Sequence, residues 1–276
     1  MSGVRADVRL VELGLAPSRE KARTLIMAGE VFIDTLRIDK PGAAVPEDAL
    51  LTVKEQAIPF VSRGGLKLDK AVRKYGLDFT DMVTMDVGAS TGGFTDCMLQ
   101  NGAKKVYAID VGYGQLDWKL RNDPRVVVME RTNARNMGPD WFTEAPDFAS
   151  MDVSFISVKL ILPGIYKSLR EGAQAVILVK PQFEAGRGRV GKNGVVRDKD
   201  THRQVVEDTA RFALDTGFSI RQIDYSPITG PKGNIEFLLL LEKSGTAGGT
   251  EVLADIPHIV DMAHGELARC IFFSRK

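Results

Sequence analysis

The sequence predicts an α/β protein: a doubly wound sheet of seven strands with helices on both faces, preceded by a small α+β domain. Seven apolar runs lie between residues 82 and 241, and most are separated by segments with helical period, such as residues 199–216. Strands that are apolar along their whole length are typical of a parallel sheet covered on both faces. The runs are MVTMDV, KVYAID, VVVM, DFASMD, AQAVILVK, FSIRQIDY and EFLLLL.

Residues 1–57 have a different pattern, which predicts the compact α+β domain. Residues 5–15 have helical period, and Ser18 is placed to cap a second helix that would turn its apolar side chains inward. Those side chains are Ala22, Leu25 and Ile26. Gly29 would end this helix, and the segments EVFID and LLTV read as strands.

Composition predicts the remaining boundaries. Pro59 and a pair of glycines mark residues 58–65 as a linker, so the doubly wound domain would span residues 66–243. The segment KSGTAGGTE predicts a flexible connection within residues 244–276, which would end in a helix. One face of that helix is apolar and would be buried. It carries Ile256, Val260, Ala263 and Leu267.

Composition and charge exclude several classes of protein. Of the 276 residues, 44% are hydrophobic and 26% are charged, as in ordinary globular proteins, and no segment approaches the roughly 18 apolar residues of a membrane span. No secretory signal is predicted, so we expect a cytoplasmic location. Cys97 and Cys270 have neither disulfide-framework nor zinc-site spacing, and we expect both to be reduced and buried. The three histidines lack metal-ligand spacing, and we expect surface or helix-cap positions.

Basic residues are clustered although the net charge is only +1, and clusters rather than totals indicate a phosphate-binding surface. One cluster lies in the first 23 residues, and a second would form a stripe along one face of a helix. The clusters contain Arg5, Arg9, Arg19, Lys21 and Arg23, and Arg63, Lys67, Lys70 and Lys74. A solvated helix face is the alternative interpretation of the stripe.

The segment MDVGASTGGFTD is an apolar strand that runs into a glycine-rich turn. A dinucleotide fingerprint requires glycine at the position of Ser90, and a triphosphate-binding loop requires a lysine that this turn lacks. Gly88, Gly92 and Gly93 would still allow a ligand without a diphosphate to approach the backbone closely. A nucleoside with an amino-acid tail, such as S-adenosylmethionine, fits that description.

The following strands supply candidate contacts for that nucleoside. Asp110 ends the second strand about 20 residues beyond the glycines, where a carboxylate can accept hydrogen bonds from both ribose hydroxyls. Asn133 follows the third strand, where its side chain could read an adenine edge. A helix cap or turn is the alternative role for Asp110. The full predicted cofactor set is Asp86, Gly88, Ala89, Ser90, Thr91, Gly92, Gly93, Asp110, Val111 and Asn133.

Charged residues stand at the ends of three later apolar runs. Asp152 and Lys180 follow the fourth and fifth runs, and Glu236 begins the seventh. Together with Lys67 they would place two cations and two carboxylates around one pocket. A pair of structural salt bridges at the sheet edge is the alternative.

These motifs resemble the TlyA (hemolysin-A-like) family of ribosomal RNA 2′-O-ribose methyltransferases, whose catalytic domain is FtsJ-like. The segment RADVRLVELGLAPSREKARTLIMAGEVFID resembles the S-four RNA-binding domain. The segments SRGGLKL, MDVGASTGGFTD, IDVGYGQL, MDVSFISV, LVKPQFE and NIEFLL resemble the family's methyltransferase motifs. The resemblance implies a Rossmann-like methyltransferase fold and S-adenosylmethionine as cofactor.

The resemblance also implies a catalytic Lys-Asp-Lys-Glu tetrad at Lys67, Asp152, Lys180 and Glu236, and a cytidine of ribosomal RNA as the target. The chemistry is consistent, because a ribose hydroxyl is a weak nucleophile that a neighbouring ammonium can activate. We expect no metal and no obligate protein partner. RNA-binding residues are predicted at Arg5, Arg19, Arg23, Arg63, Lys70, Arg187 and Arg189, the last two in the basic glycine-rich loop 184–198, which also carries Lys192.

Three other functions remain as alternatives. An NAD-dependent oxidoreductase would have a similar sheet, but Ser90 and the lack of a well-placed histidine disfavour it. A non-catalytic RNA-binding protein with a methyltransferase-like core is disfavoured by the four tetrad residue types. A pore-forming toxin, suggested by the family's second name, would require a membrane-active segment that the sequence lacks.

Overall fold

The computed structural model describes residues 3–27, 29–33, 36–46, 49, 51–53, 58–246 and 248–273. The chain divides into two compact units, residues 1–58 and residues 59–276. Cys270 has no described side chain, so the expectation that it is buried lies outside the described residues, whereas Cys97 is buried.

The smaller unit packs two helices with short antiparallel strands. Strand β1 (Val4–Arg5) leads into helix α1 (Ala6–Glu12), and helix α2 (Arg19–Met27) follows. The strands β2 (Val31–Ile33), β3 (Leu36–Arg37) and β5 (Leu51–Val53) form one sheet in the order β3-β2-β5, and β4 (Ala44–Val45) pairs with β1.

The predicted second helix of this unit is confirmed. Ser18 Oγ accepts a hydrogen bond of 3.2 Å from the backbone N–H of Lys21, as an N-cap residue does, and Ala22, Leu25 and Ile26 are buried in the core. Gly29 adopts a left-handed φ of +74° just beyond the helix end, a conformation that glycine adopts without strain. The first helix is shorter than predicted and ends at Glu12.

The larger unit contains the seven-stranded sheet, and each strand coincides with one of the predicted apolar runs. The strands are β6 (Val83–Val87), β7 (Lys105–Ile109), β8 (Val126–Met129), β9 (Phe148–Met151), β10 (Gln174–Val179), β11 (Ser219–Tyr225) and β12 (Phe237–Glu242). Their order in the sheet is β11-β12-β10-β9-β6-β7-β8. The predicted seven-stranded α/β fold is therefore confirmed.

One strand corrects the expectation of a parallel sheet. Strand β12 runs antiparallel to both of its neighbours, β10 and β11, whereas the β9, β6, β7 and β8 pairings are parallel. The chain between β11 and β12 is a loop of 11 residues, 226–236, with no helical crossover long enough to return a parallel strand. An apolar run alone carries no information about strand direction.

Seven helices accompany the sheet within the described part of the larger unit. They are α3 (Gly65–Tyr75), α4 (Gly93–Gln100), α5 (Trp118–Arg121), α6 (Leu162–Ser168), α7 (Pro181–Glu184), α8 (Lys199–Thr216) and α9 (Ile256–Phe273). The helices α6, α8 and α9 share a core with Met85 of β6, while its neighbour Asp86 bonds to Thr95 of α4. Successive strand residues face opposite sides, so helices cover both faces.

The C-terminal helix packs as predicted, through Ile256, Val260, Ala263 and Leu267, all of which are buried. The segment before it differs from the expected flexible connection. Gly248 O accepts a 2.9 Å hydrogen bond from Ile220 N, and Thr246 O accepts one of 2.8 Å from Ser219 Oγ. At Gly249, a Cβ would lie 1.9 Å from Ile220 O, so the segment lies tightly along β11.

From Pro59 onward, the predicted linker 58–65 also differs from a free connection. The carboxylate of Asp96 on α4 accepts a 2.9 Å hydrogen bond from Val61 N, and Gln100 on the same helix donates to Pro59 O. Phe60 packs so closely on Gly65 that a Cβ there would lie 2.4 Å from its ring. Residues 59–64 therefore belong to the larger unit and fix the start of α3.

Two lysines of the basic stripe, Lys67 and Lys70, are turned inward, which corrects the expectation for Lys70, whereas Arg63 and Lys74 are exposed. Lys70 donates a 2.6 Å hydrogen bond to Tyr225 O, and its ammonium lies 3.6 Å from the centre of the Tyr225 ring. Asp224, which is buried, pairs with Lys70 at 3.1 Å and with Lys74 at 2.9 Å. Because Lys67 is buried too, these lysines tie α3 to the fold.

His202 corrects the expectation of surface histidines, because α9 covers it. Its side chain is buried, and its Nδ1 lies 2.8 Å from Nε2 of His264 on α9. Burial, together with the neighbouring His264, lowers the pKa of His202 to about 4. The ring is therefore neutral at physiological pH.

The glycine turn after β6 is held from behind by Asp86. Its Oδ2 accepts hydrogen bonds from Thr95 N (2.8 Å) and Thr95 Oγ1 (2.6 Å), and Oδ1 accepts one from Ser150 Oγ (3.2 Å). Asp86 is fully buried, and this burial raises the pKa of its carboxyl to about 7 against the effect of these hydrogen bonds. It connects β6, α4 and β9 beneath the turn.

The raised pKa of Asp86 predicts a pH-dependent contribution to stability. A carboxyl whose pKa is higher in the folded than in the unfolded state contributes most below about pH 4, and this contribution is lost as the pH rises to about 7. We expect the unfolding free energy of the wild type, relative to Asp86→Asn, to fall by about 3 to 4 kcal/mol between these pH values, at about 1.4 kcal/mol per pKa unit.

Tryptophan fluorescence during urea unfolding measures this effect, because both tryptophans, Trp118 and Trp141, lie in the larger unit. Asp140→Asn is the matched control, since Asp140 is exposed. A free-energy difference between wild type and Asp86→Asn that stays constant from pH 4 to pH 7 would contradict the prediction.

Candidate active site

A cavity of about 520 Å³ opens at the carboxyl ends of β6, β7 and β9. This is where a doubly wound sheet changes direction, because β7 and β8 lie on one side of β6 and β9 on the other. Five predicted cofactor residues line it: Gly88, Ser90, Asp110, Val111 and Asn133.

Gly88 lets the backbone of the turn approach the next strand. Its φ is +85°, and a Cβ at this position would lie 2.6 Å from Asp152 O, closer than non-bonded atoms can come. Ser90 also has a left-handed φ of +49°, and its N–H donates a 2.8 Å hydrogen bond to Asp110. The turn is thus shaped by contacts with β7 and β9.

Asp110 joins two backbone segments at the cavity wall. Its Oδ2 accepts from Ser90 N, and its Oδ1 accepts a 2.6 Å hydrogen bond from Gly112 N. Each carboxylate oxygen can accept about two hydrogen bonds, so both retain the capacity to accept from a ligand hydroxyl. The alternative role predicted for Asp110, that of a turn residue, is therefore observed. Asp110 also lines the cavity, where a ligand hydroxyl can reach its carboxylate.

The other predicted cofactor residues lie elsewhere around the turn. A smaller cavity of about 220 Å³ is lined by Asp86, Ala89, Thr91 and Gly93 as well as by Gly88. Gly92, with a φ of +96°, faces α5 instead, and a Cβ there would lie 2.2 Å from Leu120 Cδ1. Both its left-handed φ and this packing favour glycine at position 92.

The larger cavity fits a nucleoside with an amino-acid tail. Its volume lies within the roughly 300 to 1,000 Å³ of small-molecule sites. Apolar side chains from Ile109, Val111 and Ile156 are combined with the polar groups of Asp110 and Asn133. Gly88 lets the turn lie directly against the end of β9, so that both backbones form one wall of the cavity.

The four predicted tetrad residues meet at the same edge of the sheet. Lys67 Nζ lies 3.1 Å from Asp152 Oδ2 and 2.8 Å from Glu236 Oε2, and the Lys180 ammonium contacts Asp152 Oδ1. Asp152 and Lys180 follow the parallel strands β9 and β10. Glu236 immediately precedes β12, and only the antiparallel direction of that strand brings its first residues to this edge.

Burial and mutual attraction set the charges of the network. Burial would lower the pKa of Lys67, but the carboxylates of Asp152 and Glu236 outweigh it, and the pKa is raised. Burial would raise the pKa of Asp152, but Lys67 and Lys180 outweigh it, and the pKa is lowered. Lys67 is therefore an ammonium and Asp152 a carboxylate at neutral pH.

Glu236 is the most enclosed member of the network. Its side chain is fully buried, which raises the pKa of the carboxyl although Lys67 opposes the shift. A Cβ at Gly230 would lie 2.2 Å from Glu236 Oε1, so only glycine fits there. Within the part of the chain that the structure describes, Oε1 has no hydrogen-bond partner.

Two polar residues of the site were missed by the sequence analysis. Ser154 Oγ accepts a 2.9 Å hydrogen bond from Lys180 Nζ. Asn234, two residues before Glu236, accepts a 3.1 Å hydrogen bond from Val196 N and donates one of 3.0 Å to Gly194 O. These two bonds fix the end of the basic loop 184–198. The position of Ser154 in MDVSF, two residues after the predicted aspartate, was the signal available for it.

The predicted RNA-binding residues differ in their surroundings. Arg5 and Arg19 remain largely exposed, although both pair with the buried Asp7, at 3.0 and 3.3 Å. Three more of these residues are exposed, namely Arg23, Arg63 and Arg189. The side chain of Arg187 lies outside the described residues.

Two kinds of feature are absent from the described residues. None of their helices has the length and hydropathy of a membrane span. No group of three or more histidine, cysteine, aspartate or glutamate side chains in the same ranges is arranged to hold a metal ion.

Comparisons with known proteins agree with this geometry. Residues 60–243 match the FtsJ-like methyltransferase family model, and residues 4–51 match the S4 domain. The chain is 52% identical over 266 residues to YqxC of Bacillus subtilis, provisionally named an rRNA methyltransferase, with 95% of both chains covered. It is 46% identical over 238 residues to the 16S/23S rRNA (cytidine-2′-O)-methyltransferase TlyA of Mycobacterium tuberculosis, with 86% of this chain and 89% of the relative covered.

A solved structure gives the same result for the fold. The chain superposes on a protein of Streptococcus thermophilus, provisionally named a hemolysin, with a TM-score of 0.78 and 50% sequence identity, over 98% of both chains. The family model spans most of the larger unit, which contains both cavities and all four tetrad positions. The chain therefore belongs to the FtsJ-like methyltransferase family and carries an S4 domain in its N-terminal unit.

Proposed function

We propose that the protein transfers a methyl group from S-adenosylmethionine to the 2′-hydroxyl of a cytidine in ribosomal RNA. The observation that carries this proposal is the contact of Lys180 with Asp152 at the rim between the two cavities. The Mycobacterium tuberculosis relative is named for this reaction, and the S4 domain supports an RNA substrate.

S-adenosylmethionine would be held by the larger cavity. Asp110 would accept hydrogen bonds from its ribose hydroxyls, Asn133 would contact the adenine edge, and the turn at Gly88 would lie against its amino-acid tail. When bound, the cofactor supplies a methyl group on a positively charged sulfur. This chain's residues then have to place the ribose oxygen in line with that methyl group.

Lys180 would interact with the attacking oxygen, whose proton would pass to solvent water as the oxygen takes up the methyl group. An ammonium beside a hydroxyl favours the state in which negative charge develops on the oxygen, and it does so more strongly in an enclosed site than in water. Asp152 would orient Lys180 and compensate its charge. Lys67 and Glu236 would complete the network and position the ribose.

The exposed arginines would bind the phosphates of the RNA. Phosphate contacts fix the register of a nucleic acid and carry no direct sequence information. Reaching a ribose in a folded RNA requires the target nucleotide to leave its stack, at a cost of a few kcal/mol. Contacts from Arg5, Arg19, Arg23, Arg63 and Arg189 would offset that cost.

The function is tested by incubating the protein with S-adenosylmethionine, labelled in its methyl group, and each isolated ribosomal RNA or subunit. We expect label in the RNA at a cytidine, and resistance of the adjacent 3′ bond to alkaline cleavage, because a 2′-O-methyl group removes the attacking hydroxyl. Label that enters only a base, or no label in either RNA or subunit, would refute the proposal.

Replacement of Lys180 tests the central residue. We expect Lys180→Met to reduce the rate of methylation by at least about 100-fold, the lower range for removal of one donor that stabilises developing negative charge. Affinity for S-adenosylmethionine should change less than about threefold, because Lys180 does not line the larger cavity. Single-turnover rates and titration calorimetry give the two quantities.

Lys167→Met is the matched control, since Lys167 is exposed on α6 and lines neither cavity. It should methylate at the wild-type rate. Wild-type activity in Lys180→Met would exclude the proposed role of Lys180. A non-catalytic RNA-binding protein would show no difference among the three proteins, because none would transfer the methyl group.

Replacement of Asp110 tests the cofactor site. In Asp110→Asn an amide donor replaces one acceptor oxygen, so one hydrogen bond to a ligand hydroxyl is lost along with the negative charge. We expect the affinity for S-adenosylmethionine to fall about 10- to 100-fold, the range for a hydrogen bond to a charged group. Titration calorimetry measures this affinity, and Asp140→Asn is the control because Asp140 is exposed. A dissociation constant that is unchanged in Asp110→Asn would argue against the ribose contact.

A further inference from the structure

Ser154 stands where the two cavities meet. Four residues line both the larger and the smaller cavity, namely Gly88, Ser90, Asp152 and Ser154. Of these, Ser154 brings a hydroxyl to Lys180, with 2.9 Å between Oγ and Nζ. Its side chain is exposed, whereas Lys180 is almost completely buried.

We propose that Ser154 is a positioning residue for methyl transfer, which holds the Lys180 ammonium at the boundary between the cofactor cavity and the ribose. This inference rests on the function proposed above and extends the four-residue network by a fifth, neutral group. Ser154 acts through Lys180.

The geometry of an ammonium explains why a second partner matters. Lysine carries three N–H donors at the end of a flexible four-carbon chain, so one ion pair leaves the ammonium free to rotate and swing. Lys180 contacts both the Asp152 carboxylate and the Ser154 hydroxyl. These two acceptors leave one N–H of the ammonium, which can donate a hydrogen bond to the ribose oxygen.

The neutrality of Ser154 also matters. A second carboxylate at this position would compensate the Lys180 charge fully and weaken its attraction for a developing alkoxide. A hydroxyl accepts the hydrogen bond and leaves that charge in place. The proton of the Ser154 hydroxyl then points away from Lys180.

The backbone fixes Ser154 in this place. Asp152 N donates a 3.0 Å hydrogen bond to Val87 O, which anchors the end of β9 to β6. Phe155 then adopts a left-handed φ of +64°, a conformation that a bulky residue rarely adopts. The chain therefore turns sharply directly after Ser154, and the turn keeps its hydroxyl at the rim of both cavities.

The test compares Ser154→Ala and Ser154→Thr with the wild type. For Ser154→Ala we expect kcat to fall about 10- to 100-fold, the range for one hydrogen bond to a charged group, with KM for the RNA and the affinity for S-adenosylmethionine within about threefold. Ser154→Thr keeps the hydroxyl on the same carbon, and its kcat should return to within about threefold of the wild type.

A double replacement separates positioning from a structural effect. Because Ser154 acts through Lys180, we expect Lys180→Met combined with Ser154→Ala to be no slower than Lys180→Met alone. Ser244→Ala serves as control, because it also removes a hydrogen-bonded hydroxyl, one that bonds to Ser219 and Thr246 and lines neither cavity. If Ser154 only positions Lys180, the thermal unfolding midpoint of Ser154→Ala should equal that of the wild type.

The possible results distinguish this inference from the proposed function. If the wild type methylates RNA while Ser154→Ala keeps the full kcat, the positioning role is refuted and the function stands. The same conclusion follows if Ser154→Thr is as slow as Ser154→Ala, or if the double variant is slower than Lys180→Met. If the wild type itself methylates no ribosomal RNA, the proposed function fails.

Discussion

The pairing of Asp152 with two lysines is the interaction on which the larger unit and its site both depend. It joins α3, through Lys67, to the ends of β9 and β10, and Glu236 extends the connection to the start of β12. Two positive and two carboxyl groups are enclosed together, so each reduces the cost of burying the other. Removing one partner would leave a buried charge uncompensated, which is strongly destabilising. The same arrangement that permits burial keeps Lys180 at the cavity rim.

The site is built on rigid elements, and its supporting contacts are correspondingly specific. Asp86 fixes the glycine turn from below, Gly88 brings that turn against Asp152 O, and Asp110 ties it to β7. A ligand in the larger cavity would therefore meet a preformed wall, so that little ordering would be required on binding. The methyl donor and the ribose would approach from adjoining cavities that share Gly88, Ser90, Asp152 and Ser154 in their linings, which restricts their relative orientation.

Much of this arrangement follows from local patterns. The seven apolar runs, the glycine turn and the polar residues at strand ends are features of short segments, and they lie where the sequence analysis placed them. The errors concern residues whose role is set by distant partners. Lys70 looked like a surface cation but pairs with Asp224. His202 looked like a surface residue but is covered by α9. Segments rich in glycine and serine looked flexible, yet Thr246 and Gly248 accept hydrogen bonds from β11.

The sequence by itself determined the order of strands and helices along the chain, the glycine turn that excludes a diphosphate-binding loop, and the four charged residues of the site. These depend on side-chain period and on the backbone freedom of glycine, which are local properties. Only the tertiary structure decided that β12 runs antiparallel, that Glu236 therefore reaches Lys67, and that Ser154 reaches Lys180. Strand direction and contacts between distant residues depend on how the chain returns to the sheet, and the pattern within a single segment does not contain that information.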